Sequence, residues 1–228
     1  MGTDSLIAHL ALDTVPEDLR EPLARWWERA GAQVALLDGY AALPAHFRAE
    51  LPRVAAGSEF IASVLIQDPQ ALEWFGRHEQ PSAARAANAD YESRASAAPT
   101  VAEAQRTLRE WRRREMLRIA WRDITGRAGV TETLHALSDF ADAAIRAAAS
   151  CAQLHLQAVF GKPLGANAEE AQLIVLGMSK LGGRELNFSS DIDLVFLFSQ
   201  AGRPMVHARW KTRSISIASG ANSSGCSM

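Results

Sequence analysis

Asp191 and Asp193 stand one residue apart in "LGGRELNFSSDIDLVFLF", residues 181–198, downstream of the glycine pair Gly182-Gly183. Side chains two apart on a strand point to one side, with Cα atoms about 6.6 Å apart. Both carboxylates can therefore reach one cation, and oxygens at the open end of a strand suit Mg²⁺, which keeps waters and is commonly completed by phosphate oxygens. Two unpaired aspartates aimed at one place repel each other, so a structural role is costly unless donors or a cation neutralise them. The bland alternative is that Asp191 caps a turn and Asp193 lies exposed at a strand edge. Gly182 and Gly183 would let the backbone approach a ligand with no Cβ in the way, and "RELNF" is expected to form a short helix whose free N–H groups face the same spot. Lys180 is either a phosphate contact or a solvated lysine of the turn, and Glu185 reads as a carboxylate at that helix start.

These residues need strands to hold them, and the period changes at residue 172 to provide them. "QLIVLGM" is short, apolar and rich in branched residues, as a buried strand requires, and "LVFLF" continues a second strand after the aspartates. Everything before is helical. "PEDLREPLARWWERAGA" places Leu19, Leu23, Trp26 and Trp27 at helical spacing and ends toward Gly31. "SEFIASVLIQDPQALEWFG" starts with Ser58 as N-cap, turns at Asp68-Pro69 and resumes with Leu72 and Phe75 inward; the tryptophans read as core. Residues 77–100 are polar and rich in Ala, Ser and Arg, which predicts a solvated helix or a flexible connection and a boundary there. A long amphipathic helix follows, with Leu108, Trp111, Met116, Ile119 and Ala120 inward and arginines around it. Arg112, Arg113 and Arg114 could contact phosphates, although such a run is ordinarily the wet face of a helix. After Gly126 and Gly129, Thr131 is expected to cap a further helix with Leu134, Leu137, Ala141, Ile145 and Ala148 in line.

Bulk properties narrow the classes. The chain has 228 residues, 48% of them hydrophobic, enough to bury a real core. A net charge of −2 argues against a nucleic-acid coat, and no apolar run reaches membrane-spanning length. The N-terminus has no basic n-region of a signal peptide, so a cytoplasmic location is the default expectation. Cys151 and Cys226 fit no metal-ligand spacing, and Cys151 reads as a buried thiol.

Residues 176–198, "LGMSKLGGRELNFSSDIDLVFLF", closely resemble a signature of the bifunctional glutamine synthetase adenylyltransferase and adenylyl-removing family. "FIASVLIQDPQALEWF", "REMLRIAWRDITG" and "ETLHALSDFADAAI" are similar to that family's stretches upstream of its first catalytic domain, so the resemblance spans most of residues 58–200. It implies an α+β chain in which a predominantly helical N-terminal region is followed by a truncated DNA-polymerase-beta-like nucleotidyltransferase domain. By motif position, Gly182, Gly183 and Ser190 would hold nucleotide phosphates, and Asp191 and Asp193 would bind Mg²⁺. Where the family's C-terminal copy tends to read Gly-Tyr-Ser-Ser, this chain has Asn187, Phe188, Ser189 and Ser190, which resembles the N-terminal, adenylyl-removing half. The chemistry implied is phosphorolysis: phosphate attacks the AMP phosphorus on a modified tyrosine of glutamine synthetase and yields ADP. The partners implied are adenylylated glutamine synthetase, phosphate and adenine nucleotide, and the nitrogen-signalling PII protein. Two other readings stay open: another Mg²⁺-dependent nucleotidyltransferase, since the motif does not specify the acceptor, and a non-catalytic helical protein-interaction module.

Residues 199–228 depart from the family, with four Lys or Arg, no acid and no sustained apolar period, although such a sheet needs further strands and usually a third carboxylate. The family continues there with sequence resembling "TDG…SLDNEEYF…RLGQ". Permitted codons for Arg209 to Met228, read from the third base of the first, spell LENEEYFHRLGRQLIRLLD, and a backward extension adds TDGARS. The third bases are free choices, so this establishes compatibility with a frame change near Ala201 or Gly202, in the gene or its sequencing. The expected organisation is a helical N-terminal region over 1–100, a helical lead-in over 101–165, an incomplete nucleotidyltransferase core over 166–200 and a frameshifted, disordered tail over 201–228. A chain so arranged should leave sheet faces and edges uncovered, fold poorly at its end and be inactive as written.

Overall fold

Trp26 and Trp27 fall on the inner side of the first helix because Leu23, Trp26, Trp27 and Ala30 recur at helical spacing, and all four are buried. The computed structural model describes residues 15–165, 168–200 and 203–204. Its helices are α1 (Glu17–Gly31), α2 (Val34–Ala42), α3 (Ala45–Gly57), α4 (Glu59–Gln67), α5 (Ala71–His78), α6 (Pro81–Ser96), α7 (Val101–Ile124) and α8 (Val130–Phe160). There follow β1 (Pro163–Leu164), β2 (Leu173–Gly177), the single turn α9 (Ser179–Gly182), β3 (Leu194–Phe198) and β4 (Arg203–Pro204). This is the mostly helical α+β order expected. Among the described residues, Val15–Tyr91 with Thr107–Thr133 form one compact unit, and Glu92–Arg106 with those from Leu134 to Pro204 form a second.

In the first unit Ser58 caps α4 as expected, its Oγ accepting the Ile61 N–H at 3.3 Å. Leu72 and Phe75 of α5 are fully buried. The core is aromatic: Phe75 stacks on Trp121 with ring centroids 4.3 Å apart, and Phe47 meets both edge-on. The Trp121 indole N–H donates to Glu50 at 2.8 Å, which satisfies its one polar group.

Residues 77–100 are not a loose connection. They form α6, which packs through Ala84 and Tyr91. Asn88 accepts the Trp111 indole N–H at 2.8 Å and donates to Glu115 at 3.1 Å, so a segment that looks solvated by composition is held by specific polar contacts. The Tyr91 hydroxyl donates to Glu110 at 2.8 Å and accepts from Arg114 at 2.9 Å. Burial, with Glu110 beside it, pushes the Tyr91 phenol up to about 12.

α7 differs from its expected wet-faced form for the same reason. Trp111, Ile119 and Ala120 are buried as anticipated, but so are Glu115, Arg118 and Arg122. Arg118 pairs with Glu115 at 2.7 Å, Arg122 with Glu79 at 2.7 Å, and Arg114 with Asp68 at 2.8 Å. Binary patterning reads these arginines as solvent-facing because their partners lie on other helices or along the same turn.

α8, which enters the second unit at Leu134, begins at Val130, and this places Thr131 inside its first turn instead of at the cap. Leu137 and Ala141 are buried, but the stripe continues through Ala144, Ala147 and Cys151, while Ala148 is exposed. Cys151 packs against Ala98 and Ala104, and burial pushes its thiol up. β2 and β3 pair antiparallel from Leu173↔Phe198 to Gly177↔Leu194. Both present apolar residues to solvent: Ile174, Leu176, Val195, Phe196, Leu197 and Phe198 are 39–49% exposed. The buried strand expected at 172–178 is thus a half-open ribbon. Its termini meet again where β1 pairs with β4.

Candidate functional site

The segment between β2 and β3 is built on one turn of helix. The expected helix at "RELNF" is absent; α9 lies upstream, over Ser179–Gly182, and ends in a Schellman motif. The Glu185 N–H donates to the Lys180 carbonyl at 2.7 Å and the Arg184 N–H to the Leu181 carbonyl at 3.0 Å. The left-handed residue that closes such a motif is usually glycine, yet here it is Arg184, with φ 59°. Ser179, at the other end of the turn, is also left-handed, with φ 52°. Non-glycine residues held this way need the surroundings to impose the conformation.

The surroundings do so from α8. The Arg184 guanidinium donates to Asp139 at 2.7 Å, and the Leu186 N–H donates to the fully buried Ser138 hydroxyl at 3.2 Å. Leu181 and Leu186 bury their side chains beneath the turn. Arg184, Ser138 and Asp139 were invisible to motif spacing, because an i→i+45 contact leaves no local pattern.

The two glycines then have separate jobs. A Cβ on Gly182 would lie 2.6 Å from the Gly177 carbonyl oxygen, so Gly182 is required for the turn to sit on the end of β2. A Cβ on Gly183 would meet nothing closer than the Ser179 carbonyl at 3.6 Å, and its φ of −81° suits any residue. No packing demand accounts for glycine at 183; its Cβ direction is open. Glu185 is exposed and follows a helical turn, where the sequence placed it at a helix start.

Ser189 and Ser190 are organised by Asn187. Its Oδ1 accepts the Ser189 N–H at 3.2 Å, an Asx turn, and the Ser190 hydroxyl at 2.7 Å. The Lys180 ammonium donates to Ser190 Oγ at 3.3 Å, which ties α9 to the loop before the aspartates. Lys180 is exposed, as a solvated lysine of the turn would be, and lies within reach of Ser190. β3 starts at Leu194, so Asp191 and Asp193 precede it; the Met178 N–H donates to the Asp193 carbonyl at 3.0 Å and carries the ladder one step further.

Asp191 and Asp193 are exposed, with Ile192 half-buried between them, the alternation of an extended segment. Among the described residues neither carboxylate has an ion-pair partner, and no group of three His, Cys, Asp or Glu converges. The donor set is two free carboxylates beside a lysine, two serines and an open glycine. Such a set fits Mg²⁺ in its usual mode, with one or two protein carboxylates and the remaining positions left to water and phosphate oxygens.

No helix among the described residues is long and apolar enough to cross a membrane. The sequence model of the family described as "Glutamate-ammonia ligase adenylyltransferase" matches residues 48–218. A "Bifunctional glutamine synthetase adenylyltransferase/adenylyl-removing enzyme" from Thioalkalivibrio sulfidiphilus is 41% identical over 202 residues, covering 87% of this chain and 20% of that protein. Its counterpart from Pseudomonas aeruginosa is 40% identical over 190 residues, 77% of this chain and 19% of that protein. That of Nitrosococcus oceani is 43% identical over 104 residues. The chain spans about a fifth of the length of the first two of these relatives. With three quarters of its residues inside the matched stretch, the chain belongs to the glutamate-ammonia ligase adenylyltransferase family.

Proposed function

We propose that this segment is part of the adenylyl-removing centre of such an enzyme, acting on adenylylated glutamine synthetase with phosphate as the acceptor. The observation that carries the reading is the pair of carboxylates, Asp191 and Asp193, without an ion-pair partner among the described residues, in the extended segment just before β3, where the Met178 N–H holds the Asp193 carbonyl. Asp191 and Asp193 would hold Mg²⁺, which when bound neutralises charge on the phosphates. The backbone at Gly183 offers a face without a Cβ to a phosphate, and the Lys180 ammonium beside Ser190 supplies a donor; the Ser190 hydroxyl, which donates to Asn187 Oδ1, would have to turn from it to donate to a phosphate. The assignment to removal over attachment of AMP rests on the resemblance of Asn187, Phe188, Ser189 and Ser190 to the wording of the adenylyl-removing half; in this chain Asn187 forms the Asx turn that orders the two serines. PII is the regulatory partner proposed for the intact enzyme.

Phosphoryl transfer asks mainly for positioning and charge stabilisation, which is the contribution of a turn fixed from α8. The test is ADP release from adenylylated glutamine synthetase, with phosphate and Mg²⁺, by a full-length family member containing this segment. Asp193→Ala should lower release by about a hundredfold or more; unchanged release would remove the aspartate from the centre. The 228-residue chain alone is proposed to be inactive.

The proposal extends to the end of the chain, where a changed frame near Ala201 or Gly202 would deprive the β2–β3 ribbon of the strands that cover it. The exposed apolar residues of the ribbon support this, while the family match reaching residue 218 weighs against so early a change. The nucleotide sequence across codons 195 to 228 decides between them.

A further inference from the structure

The arginines of α7 divide into two sets. Arg106 pairs with Glu103, Arg114 with Asp68 and Glu110, Arg118 with Glu115, and Arg122 with Glu79 and Glu132. Arg109, Arg112 and Arg113 have no acidic partner among the described residues, and these same three line one side of a cleft of about 210 Å³ in the first unit. Their i, i+3, i+4 spacing puts all three on one stripe, where like charges repel. The buried Arg113 Nε has no hydrogen-bond partner, a donor taken from water without compensation.

The opposite wall comes from α4, whose Phe60, Ser63, Val64 and Gln67 share one helical face. Gln67 donates to Ser63 Oγ at 2.8 Å, so the polar edge of that wall is set by its own hydrogen bond, and Phe60 and Val64 supply an apolar floor. A helix that neutralises its other arginines has left three unneutralised facing a cavity.

From this we infer that the cleft between α4 and α7 binds a small organic phosphate, separate from the aspartate site and independent of the function proposed for it. Charge selects phosphate over carboxylate. A carboxylate satisfies one guanidinium fork and supplies one negative charge, whereas a phosphate monoester presents three oxygens and close to two charges to three cations. The apolar floor selects an organic ester over the inorganic ion, because Phe60 and Val64 gain only from an apolar group attached to the phosphate.

The test is calorimetric titration of the full chain, in low-salt chloride buffer, with phenyl phosphate, inorganic phosphate, benzoate and an oligoglutamate peptide. Phenyl phosphate is expected to bind most tightly, and Arg112→Gln with Arg113→Gln should weaken it by about tenfold or more while leaving the unfolding midpoint in place. Phe60→Ala should weaken phenyl phosphate and leave inorganic phosphate unchanged. Asp193→Asn should change neither, which separates this site from the aspartates. Tightest binding by oligoglutamate would overturn the proposal in favour of an acidic protein partner. Absence of phosphate binding, or binding indifferent to both arginines in a variant that stays folded, would refute it.

Discussion

The buried ion pairs of α7 in the first unit and the strand–turn–strand segment of the second treat charge in opposite ways. Around α7 the buried arginines have carboxylates within 2.8 Å, and the tryptophan N–H groups of Trp111 and Trp121 are satisfied by side chains. In the second, Asp191 and Asp193 stand exposed without an ion-pair partner among the described residues, and apolar strand faces lie open. Paired charge, as at Arg114, Arg118 and Arg122, fixes helices; unpaired charge, as at Asp191 and Asp193, is left for something to bind. The chemical types are the same in both places, and only the partner distinguishes the roles.

The contrast can be broken most severely in the helical region. Trp121→Ala removes a fully buried ring stacked on Phe75 and leaves Glu50 Oε2 without the indole donor, with only Arg127 still donating to Glu50, for an expected loss of about 4 kcal/mol in denaturant unfolding. A loss below about 1 kcal/mol would mean that this core is not what holds the unit. Glu115→Ala strands the Arg118 guanidinium in the interior and should cost about 3 kcal/mol. Replacing both Glu115 and Arg118 by apolar residues should recover much of it, whereas no recovery would show that the pair is more than self-compensating.

The smaller effects separate the two glycines. Gly182→Ala drives a Cβ to 2.6 Å from the Gly177 carbonyl and should cost about 1–3 kcal/mol. Gly183→Ala, whose Cβ direction is open, should stay within about 0.5 kcal/mol of the parent. Activity of the full-length enzyme falling with Gly183→Ala despite unchanged stability would sharpen the reading that the ligand, not the fold, demands that glycine. Equal destabilisation by both would contradict the separate roles.

What was legible in the sequence follows from the range of the interactions. Ser58 as N-cap, the buried tryptophans and the existence of both strands rest on local spacing and are found, but the first strand is half-open instead of buried and the second starts at Leu194, after the aspartates expected to open it. Tyr91 and Asn88 were read as part of a solvated stretch because their partners, Glu110, Arg114, Trp111 and Glu115, are 19 to 27 residues away in sequence. Thr131 lost the cap because a hydroxyl two residues after Gly129 marks the neighbourhood of a helix start but not its phase. At the site, the glycine pair and the aspartates were visible as types. Their arrangement was not, since the closing left-handed residue is Arg184, held by Asp139 from another helix.

The central claim is that Asp191 and Asp193 are free because they serve a ligand. Asp191→Asn in a full-length family member containing this segment tests it most directly, with Mg²⁺-dependent ADP binding and the unfolding midpoint measured on the same sample. The account predicts an unfolding free energy within about 0.5 kcal/mol of the parent, as for an exposed residue without partners, and loss of the Mg²⁺-dependent part of ADP binding. Intact Mg²⁺-dependent binding, or a large loss of stability, would contradict it.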